Sequence, residues 1–503
     1  SLQGLACSYI EVGKTLNTLI NMQITELEPK RLWKQFYDIC QVPRPSKKEA
    51  KMIAFLQQFG ASHNLDTQTD AAGNVLIRKP ATPGYEGKPT IILQSHMDMV
   101  CEKNSDCNHN FDTDPIQAYV DGEWVKAKGT TLGGDDGIGC ATELAILASD
   151  DLKHPALECL FTVDEETGLT GAFALDPNLL KGKLLINLDS EDDGQFFIGC
   201  AGGIDTTVTF DYKQEKMPEG LFYFELKVNG LKGGHSGGDI HLYRGNANKV
   251  LNRFMWQTMK ATDLKVSEIS GGNLRNAIAR EARAICAVPM DYKHTLVAEL
   301  NKFQAAIKGE FSIADPDVNI EINSVERPAT MIDADTTRRM INALYGCPHG
   351  VIRMSDELKG IVETSTNLAA VKMQENNQIL VTTSQRSLTD SSKRDIANMV
   401  ETVFTLSGAK ATHGDGYPGW KPNPSSKIAN ALAETYKKLF NKEPQILAIH
   451  AGLECGLFLE KYPNLDMVSV GPTMVGVHSP DEKLHIPAVQ DFWKLIVYTL
   501  ENI

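Results

Sequence analysis

Four short apolar runs, alternating with segments of helical period, constrain this chain more than any other feature. GNVLIRK at 73–79, TIILQSHMDMV at 90–100, ALECLFTV at 156–163 and KLLINLD at 183–189 have the length and apolar continuity of buried strands. Around them lie helical patterns. Leu32, Phe36 and Ile39 recur at helical spacing in ELEPKRLWKQFYDIC, which should end before PRPS at 43–46. KKEAKMIAFLQQFGASH and GIGCATELAILASD at 137–150 read as two more helices. Strands that alternate with helices predict an α/β layer structure on a largely parallel sheet.

The pattern changes near AGGIDTTVTF. FYFELKVNGLKGG then reads as an alternating, half-exposed strand and NANKVLNRFMWQTMK as an amphipathic helix. Further elements, ending in QILVTTSQRSLTD and SKRDIANMVETVF, extend this second region to GDGYPGWKPNPSS at 414–426, a Gly, Pro and Ser cluster of the kind that joins domains. A chain of 503 residues with 42% hydrophobic content is long enough for two domains. The expected arrangement is a first domain made from residues 22–202 and 417–503, with residues 203–416 inserted as a second α/β domain. That insertion is long enough to hold two small α/β units. Residues 1–21 lack the basic start, long apolar core and small-residue cleavage site of a secretory signal, and read as a leader or vector-derived extension before a natural start at Met22.

Four acidic or histidine clusters fall where strands pass into loops: QSHMDMV, LGGDDGIG, TVDEETG and INLDSED. Ligands of open α/β sheets gather at the carboxyl ends of strands, so clusters far apart in sequence are expected to converge there. His96 and Asp98 alternate on one strand and face the same side, which lets Asp98 fix the tautomer of His96. Asp135 follows two glycines that allow close approach of the backbone to an ion. Glu165 and Glu166 end an apolar strand side by side, where two buried carboxylates repel unless a cation or proton intervenes. Taken singly, each has a plainer reading: His-x-Asp as a surface pair, Asp-Asp-Gly as a turn, Glu-Glu as a solvated face, Asp189 as a helix cap. Their shared position behind apolar strands is not what solvated charge runs produce.

SHMDMV, GGDDG, TVDEETG and NLDSED resemble, in order, the metal and catalytic motifs of the zinc aminoacylase and carboxypeptidase clan called M20. The resemblance runs from about residue 26 to the C-terminus, and VPRPS, LKGGHSGGDIH, NLRNAIAR, PGWKPNP, IHAGLECG and VGVHSPDE resemble its aminoacyl-histidine dipeptidase branch. It implies a zinc-exopeptidase-like catalytic domain with a mixed, largely parallel sheet and an inserted α/β lid domain. It implies two Zn²⁺ ions, Co²⁺ or Mn²⁺ being possible substitutes: His96 and Asp189 on one, Glu166 and His478 on the other, Asp135 bridging them. Glu165 is then the general base and Asp98 the carboxylate behind His96.

In the insertion, His235 lies among glycines that expose it on a loop. The resemblance makes it the donor to the oxyanion when the domain closes as a lid. Asn276 resembles a substrate-contacting Asn, and Arg386 a residue that grips the terminal carboxylate, the alternative being a strand arginine paired with an acid. His450 stands in a glycine-bearing segment expected to line the pocket. His485, seven positions beyond His478, competes with it for the last ligand position, and VHSPDE favours His478. Many clan members carry Lys or Asn where this chain has Gly137.

The expected activity is hydrolysis of unblocked dipeptides, Xaa-His such as carnosine included. A tripeptidase, carboxypeptidase or N-acyl amino acid deacylase is the alternative within the clan, and a non-catalytic metal-binding protein the alternative outside it. A formal charge of −14, with no basic block, argues against nucleic acid as a partner. The ten cysteines are scattered without a Cys-x-x-Cys pair, as in a reducing cytoplasm. No apolar run reaches eighteen residues, so no membrane span is expected. The resemblance further implies a homodimer formed through the lid domain.

Overall fold

The computed structural model describes residues 23–503. The leader reading for residues 1–21 and the start at Met22 lie outside them. The described residues divide into two compact units, one of residues 23–199, 423–447 and 457–503, the other of residues 200–422 and 448–456.

The first unit is built on an eight-stranded mixed sheet. Its centre is parallel: Ile91–His96 lies between Leu157–Thr162 and Leu184–Asn187, and Asp466–Ser469 continues beyond the latter. Its margins are antiparallel, with Val75–Lys79 against Leu157–Thr162 and Asp66–Thr69 outside it. The two middle strands Ile91–His96 and Leu157–Thr162 are buried along their whole length, which explains why their sequences are continuous apolar runs rather than alternating ones. Helix Gly134–Leu147 is buried at every residue, because it packs against strand Ile91–His96 as well as helix Lys30–Cys40. Lys30–Cys40 buries Leu32, Trp33, Phe36, Ile39 and Cys40, the stripe that its periodicity predicts, and ends before the PRPS segment. Among the described residues, no helix is long and apolar enough to cross a membrane.

The second unit carries one nine-stranded sheet, where its length alone allowed two smaller units. Its strand pairs are antiparallel, and Leu221–Asn229 alternates strictly, burying Phe222, Phe224, Leu226 and Val228. Those side chains share a core with Leu251, Phe254 and Met255 of helix Ala247–Ala261 and with Leu296, Leu300 and Phe303 of helix Lys293–Glu310. One face of an antiparallel sheet thus meets helices, and the alternation records it.

Leu93 is fully buried mid-strand, opposite Cys159 on one side and Ile186 on the other. Leu93→Ala leaves a cavity that neighbours on both strands cannot fill, and should destabilise the protein by about 2–5 kcal/mol, read as a lowered urea midpoint.

Candidate active site

Strand register brings three of the four clusters together, and the fourth, LGGDDGIG, comes in on the start of helix Gly134–Leu147 rather than at the end of a strand. His96 is paired with Thr162 and Gln94 with Asn187, so the Glu165–Glu166 turn and Asp189 leave the sheet at the level where His96 ends its strand. Asp164, with φ 49°, turns the chain sharply after Leu157–Thr162, and its carboxylate accepts hydrogen bonds from the Thr167 and Thr170 hydroxyls. His478 also holds a left-handed backbone, with φ 63°. Such a conformation is costly for a residue with a Cβ and is kept only where the surroundings impose it.

Asp135 lies at the centre. Its Oδ1 is 2.9 Å from His96 Nε2 and its Oδ2 is 3.0 Å from His478 Nε2. Asp189 Oδ1 lies 3.3 Å from the same nitrogen of His96, and Glu166 Oε2 lies 3.0 Å from that of His478. Two triads result, His96 with Asp135 and Asp189, and His478 with Asp135 and Glu166, each with its donor atoms within 4.8 Å of one another and Asp135 common to both. Glu165 groups with His96 and Glu166 on the same criterion, so proximity alone does not separate it from the other donors.

The electrostatics are those of a cation pocket. Hydrogen bonds to Asp135 and Glu166 push the His478 imidazole up to about 11. Burial opposes a charge on His96, but Asp189, Asp135 and Asp98 outweigh it and hold that imidazole well above its ordinary value. Glu166 Oε1 is buried with no hydrogen-bond partner. Imidazole nitrogens mixed with carboxylate oxygens, running from the buried His96 and Asp135 out to the half-exposed His478, fit a divalent ion of the zinc type.

Asp98 does more than its sequence position suggests. Its Oδ1 is 3.3 Å from His96 Nδ1, and it also accepts the amides of Glu165 and Glu166 and the hydroxyl of Ser46 at 2.7 Å. Burial disfavours its charge, yet His96, Ser46 and the Glu165 amide bring its carboxyl down to about 2. One anion therefore ties the end of the His96 strand to the turn that presents the acidic pair.

The two glycines before Asp135 also leave room for side chains packed against them. Gly133 has φ 70°, and a Cβ there would lie 2.5 Å from Arg44 Nη2; at Gly134 it would lie 3.0 Å from Leu484 Cγ. A Cβ at Gly137 would fall 2.7 Å from the same Arg44 nitrogen. Sequence reasoning missed Arg44, Ser46 and Glu482 as site residues, although the strings VPRPS and VGVHSPDE contained them. His485 is set apart: it packs on Trp124 at 4.8 Å, with Nε2 4.0 Å from Glu123, leaving His478 as the histidine that meets the carboxylates.

The second unit gathers its own polar group. A two-residue ladder pairs His235 with Ala277, and the Asn276 carbonyl accepts the Ser236 amide at 2.8 Å. The amides of Gly237 and Gly238 donate to His235 Nδ1, which leaves the proton of the neutral ring on Nε2. Partial desolvation, then the Arg386 charge, hold His235 below its ordinary value. Arg386, nearly buried, donates to the Tyr417 hydroxyl at 2.9 Å, and its Nε has no hydrogen-bond partner. His450 Nε2 lies 2.7 Å from the hydroxyl of Ser365, whose strand position is directly opposite Arg386.

The sequence matches the model of peptidase family M20/M25/M40 over residues 92–502. The chain belongs to that family, and with it to the hydrolases of peptide bonds. It is 45% identical to the cytosol non-specific dipeptidase of Escherichia coli (strain K12) over 481 residues, 96% of this chain and 99% of that protein. The crystal structure of aminoacylhistidine dipeptidase from Vibrio alginolyticus superposes with a TM-score of 0.91 at 45% identity, covering 97% of this chain and 99% of that one. The aminopeptidase PepT from Bacillus cereus, at 16% identity and a TM-score of 0.59 over 94% of this chain and 98% of its own, shares the fold.

Burial and then the Arg386 charge push His450 down to about 3. Below the ordinary imidazole value near 6.5, the unfolded chain takes up a proton that folded His450 refuses, so this contribution is full above about pH 6.5 and is lost as the pH falls toward 3. Between pH 7 and pH 5 the wild type should therefore lose about 2 kcal/mol more stability than His450→Gln, measured by urea unfolding at each pH.

Proposed function

We propose that the chain is a dinuclear zinc dipeptidase that hydrolyses unblocked dipeptides, Xaa-His such as β-Ala-His among them. The observation that carries this is the pair of triads sharing Asp135, set in a chain that aligns over nearly its whole length with two dipeptidases. His96 and Asp189 would hold one ion, Glu166 and His478 the other, and Asp135 both. Ions so held supply the Lewis acidity that polarises the scissile carbonyl and lowers the pKa of the attacking water.

The protein's own groups do the rest. Glu165 accepts the proton of the attacking water and delivers it to the departing amine. Asp98 keeps the His96 ring in the tautomer that presents Nε2, and its bonds to the Glu165 and Glu166 amides fix where those carboxylates point. His235 offers its Nε2–H to the carbonyl oxygen as negative charge grows there. Arg386 takes the terminal carboxylate, which restricts the enzyme to short peptides with a free C-terminus, and Asn276 contacts the substrate beside His235. The protein acts in the cytoplasm, as a homodimer formed through the second unit.

Glu165→Ala should keep both metal ions and lose roughly 10²–10⁴ in kcat, whereas Asp135→Ala should lose metal and activity together; zinc analysis beside turnover separates the two. A panel of β-Ala-His, other dipeptides, Leu-Gly-Gly and N-acetyl amino acids, run after chelation and again with Zn²⁺ restored, should show zinc-dependent cleavage of the dipeptides. Preference for the tripeptide or the acylated substrates refutes the dipeptidase reading, and Zn²⁺-independent cleavage refutes the metal mechanism.

A further inference from the structure

Asp135 and Asp136, at the start of helix Gly134–Leu147, depart from helical backbone angles, so Asp135 sits on a loop-like entry to that helix, and two buried ionic side chains outside the acidic clusters hold this loop, one from each side. Glu482 is 2% exposed, and its carboxylate accepts four consecutive backbone N–H groups. Oε2 takes those of Leu132 and Gly133 at 2.8 and 3.0 Å, and Oε1 those of Gly134 and Asp135 at 2.8 and 3.3 Å. With both oxygens bound to the backbone, Glu482 stands outside the two triads although it touches the residue they share. Arg44, also 2% exposed, donates from Nη2 to the Gly133 carbonyl at 2.5 Å and from Nη1 to the carbonyls of Met97 and Asp98 at 3.1 and 2.7 Å. The peptide units around Gly133 are thus gripped through N–H by one side chain and through C=O by the other.

We propose that Glu482 and Arg44 are positioning residues that set the place of Asp135 relative to His96 and His478. This rests on the reading of Asp135 as the shared metal ligand. Glu482 lies four residues beyond His478, so its four bonds tie the loop of the last imidazole to the loop of the shared carboxylate. Arg44 ties that same loop to the end of the His96 strand. Asp135 must point one oxygen at each imidazole, and a loop rich in glycine has no stiffness of its own to keep it there. Four charge-assisted bonds to an anion in a nest of amides supply that stiffness. The steric fit agrees: a Cβ at Gly133 meets Arg44, and one at Gly134 comes within 3.3 Å of Glu482 Oε1.

The test compares two buried carboxylates that hold backbone amides. Glu158, also 2% exposed, accepts the amides of Lys181 and Gly182 and pairs with Arg78, and has no contact with either triad. Metal-stripped wild type, Glu482→Gln and Glu158→Gln are titrated with Zn²⁺ against a chromophoric chelator, their metal-free urea midpoints are recorded, and kcat and KM are measured with Zn²⁺ saturating. Glu482→Gln should bind Zn²⁺ roughly 10–100-fold more weakly and lose kcat with KM little changed, while Glu158→Gln, though destabilised, keeps wild-type affinity. If Glu482→Gln does not fold, Arg44→Lys, which keeps the charge and loses the forked donor, should show the same weakening. Wild-type Zn²⁺ affinity in the folded variant, or an equal loss in Glu158→Gln, overturns the proposal. A wild-type chain that binds no Zn²⁺ overturns the metal reading and this inference with it.

Discussion

Gathering carboxylates at one buried point is the electrostatic problem around which the first unit is organised. Like charges a few ångströms apart in a medium of low dielectric repel strongly, and each also loses its hydration. The structure answers differently for different carboxylates. Asp98, Asp164 and Glu482 are surrounded by backbone amides or hydroxyls, which satisfy their oxygens and make them part of the scaffold. Asp135 and Glu166 instead face imidazole nitrogens, and it is their charge that drives the His478 imidazole up to about 11. Asp98 belongs to both groups, accepting the Glu165 and Glu166 amides while also facing His96 Nδ1.

This sorting explains why the fold was legible in the sequence to the extent it was. Strands Ile91–His96 and Leu157–Thr162 are buried on both faces, so their composition announces them, and the parallel direction they share with Leu184–Asn187 lets three of the four clusters meet. The second unit is equally plain in Leu221–Asn229, whose alternation follows from one face meeting helices. Whether residues 200–422 form one sheet or two is decided by long-range pairing, such as Gly202–Asp211 with Gln378–Ser387, and no local period carries that information.

The site residues divide in the same way. His96, Glu166 and Asp189 stand out because a polar residue ending an apolar strand breaks a pattern, and Asp135 because an acidic pair behind two glycines opens an apolar helix. Arg44 and Glu482 do not, since an arginine in a Pro-rich turn and a glutamate in a polar loop break none. Their significance lies in what they bind, and their partners are carbonyls and amides contributed by Gly133 and its neighbours, which no side-chain pattern reveals. The glycines of LGGDD are conspicuous in the sequence, but nothing local names the neighbours they leave room for: Arg44, Leu484 and Glu482.

The second unit shows a complementary economy of hydrogen bonds. A buried polar atom without a partner costs about 1–3 kcal/mol, and folded proteins keep few of them. Ser236 Oγ and Arg386 Nε are two such atoms among the described residues, linked through Gly237, which abuts the His450 carbonyl, and through Ser365, which joins the Arg386 strand to the His450 ring. A core built only for stability would have filled these positions with apolar groups or supplied each with a partner. They lie beside His235, whose Nδ1 accepts the amides of its own loop, and under the proposed reaction a small, charged, hydrogen-bonding molecule would complete the group. The short peptide of the proposed reaction, with a carboxylate for Arg386 and a carbonyl for His235, has the groups to meet that need.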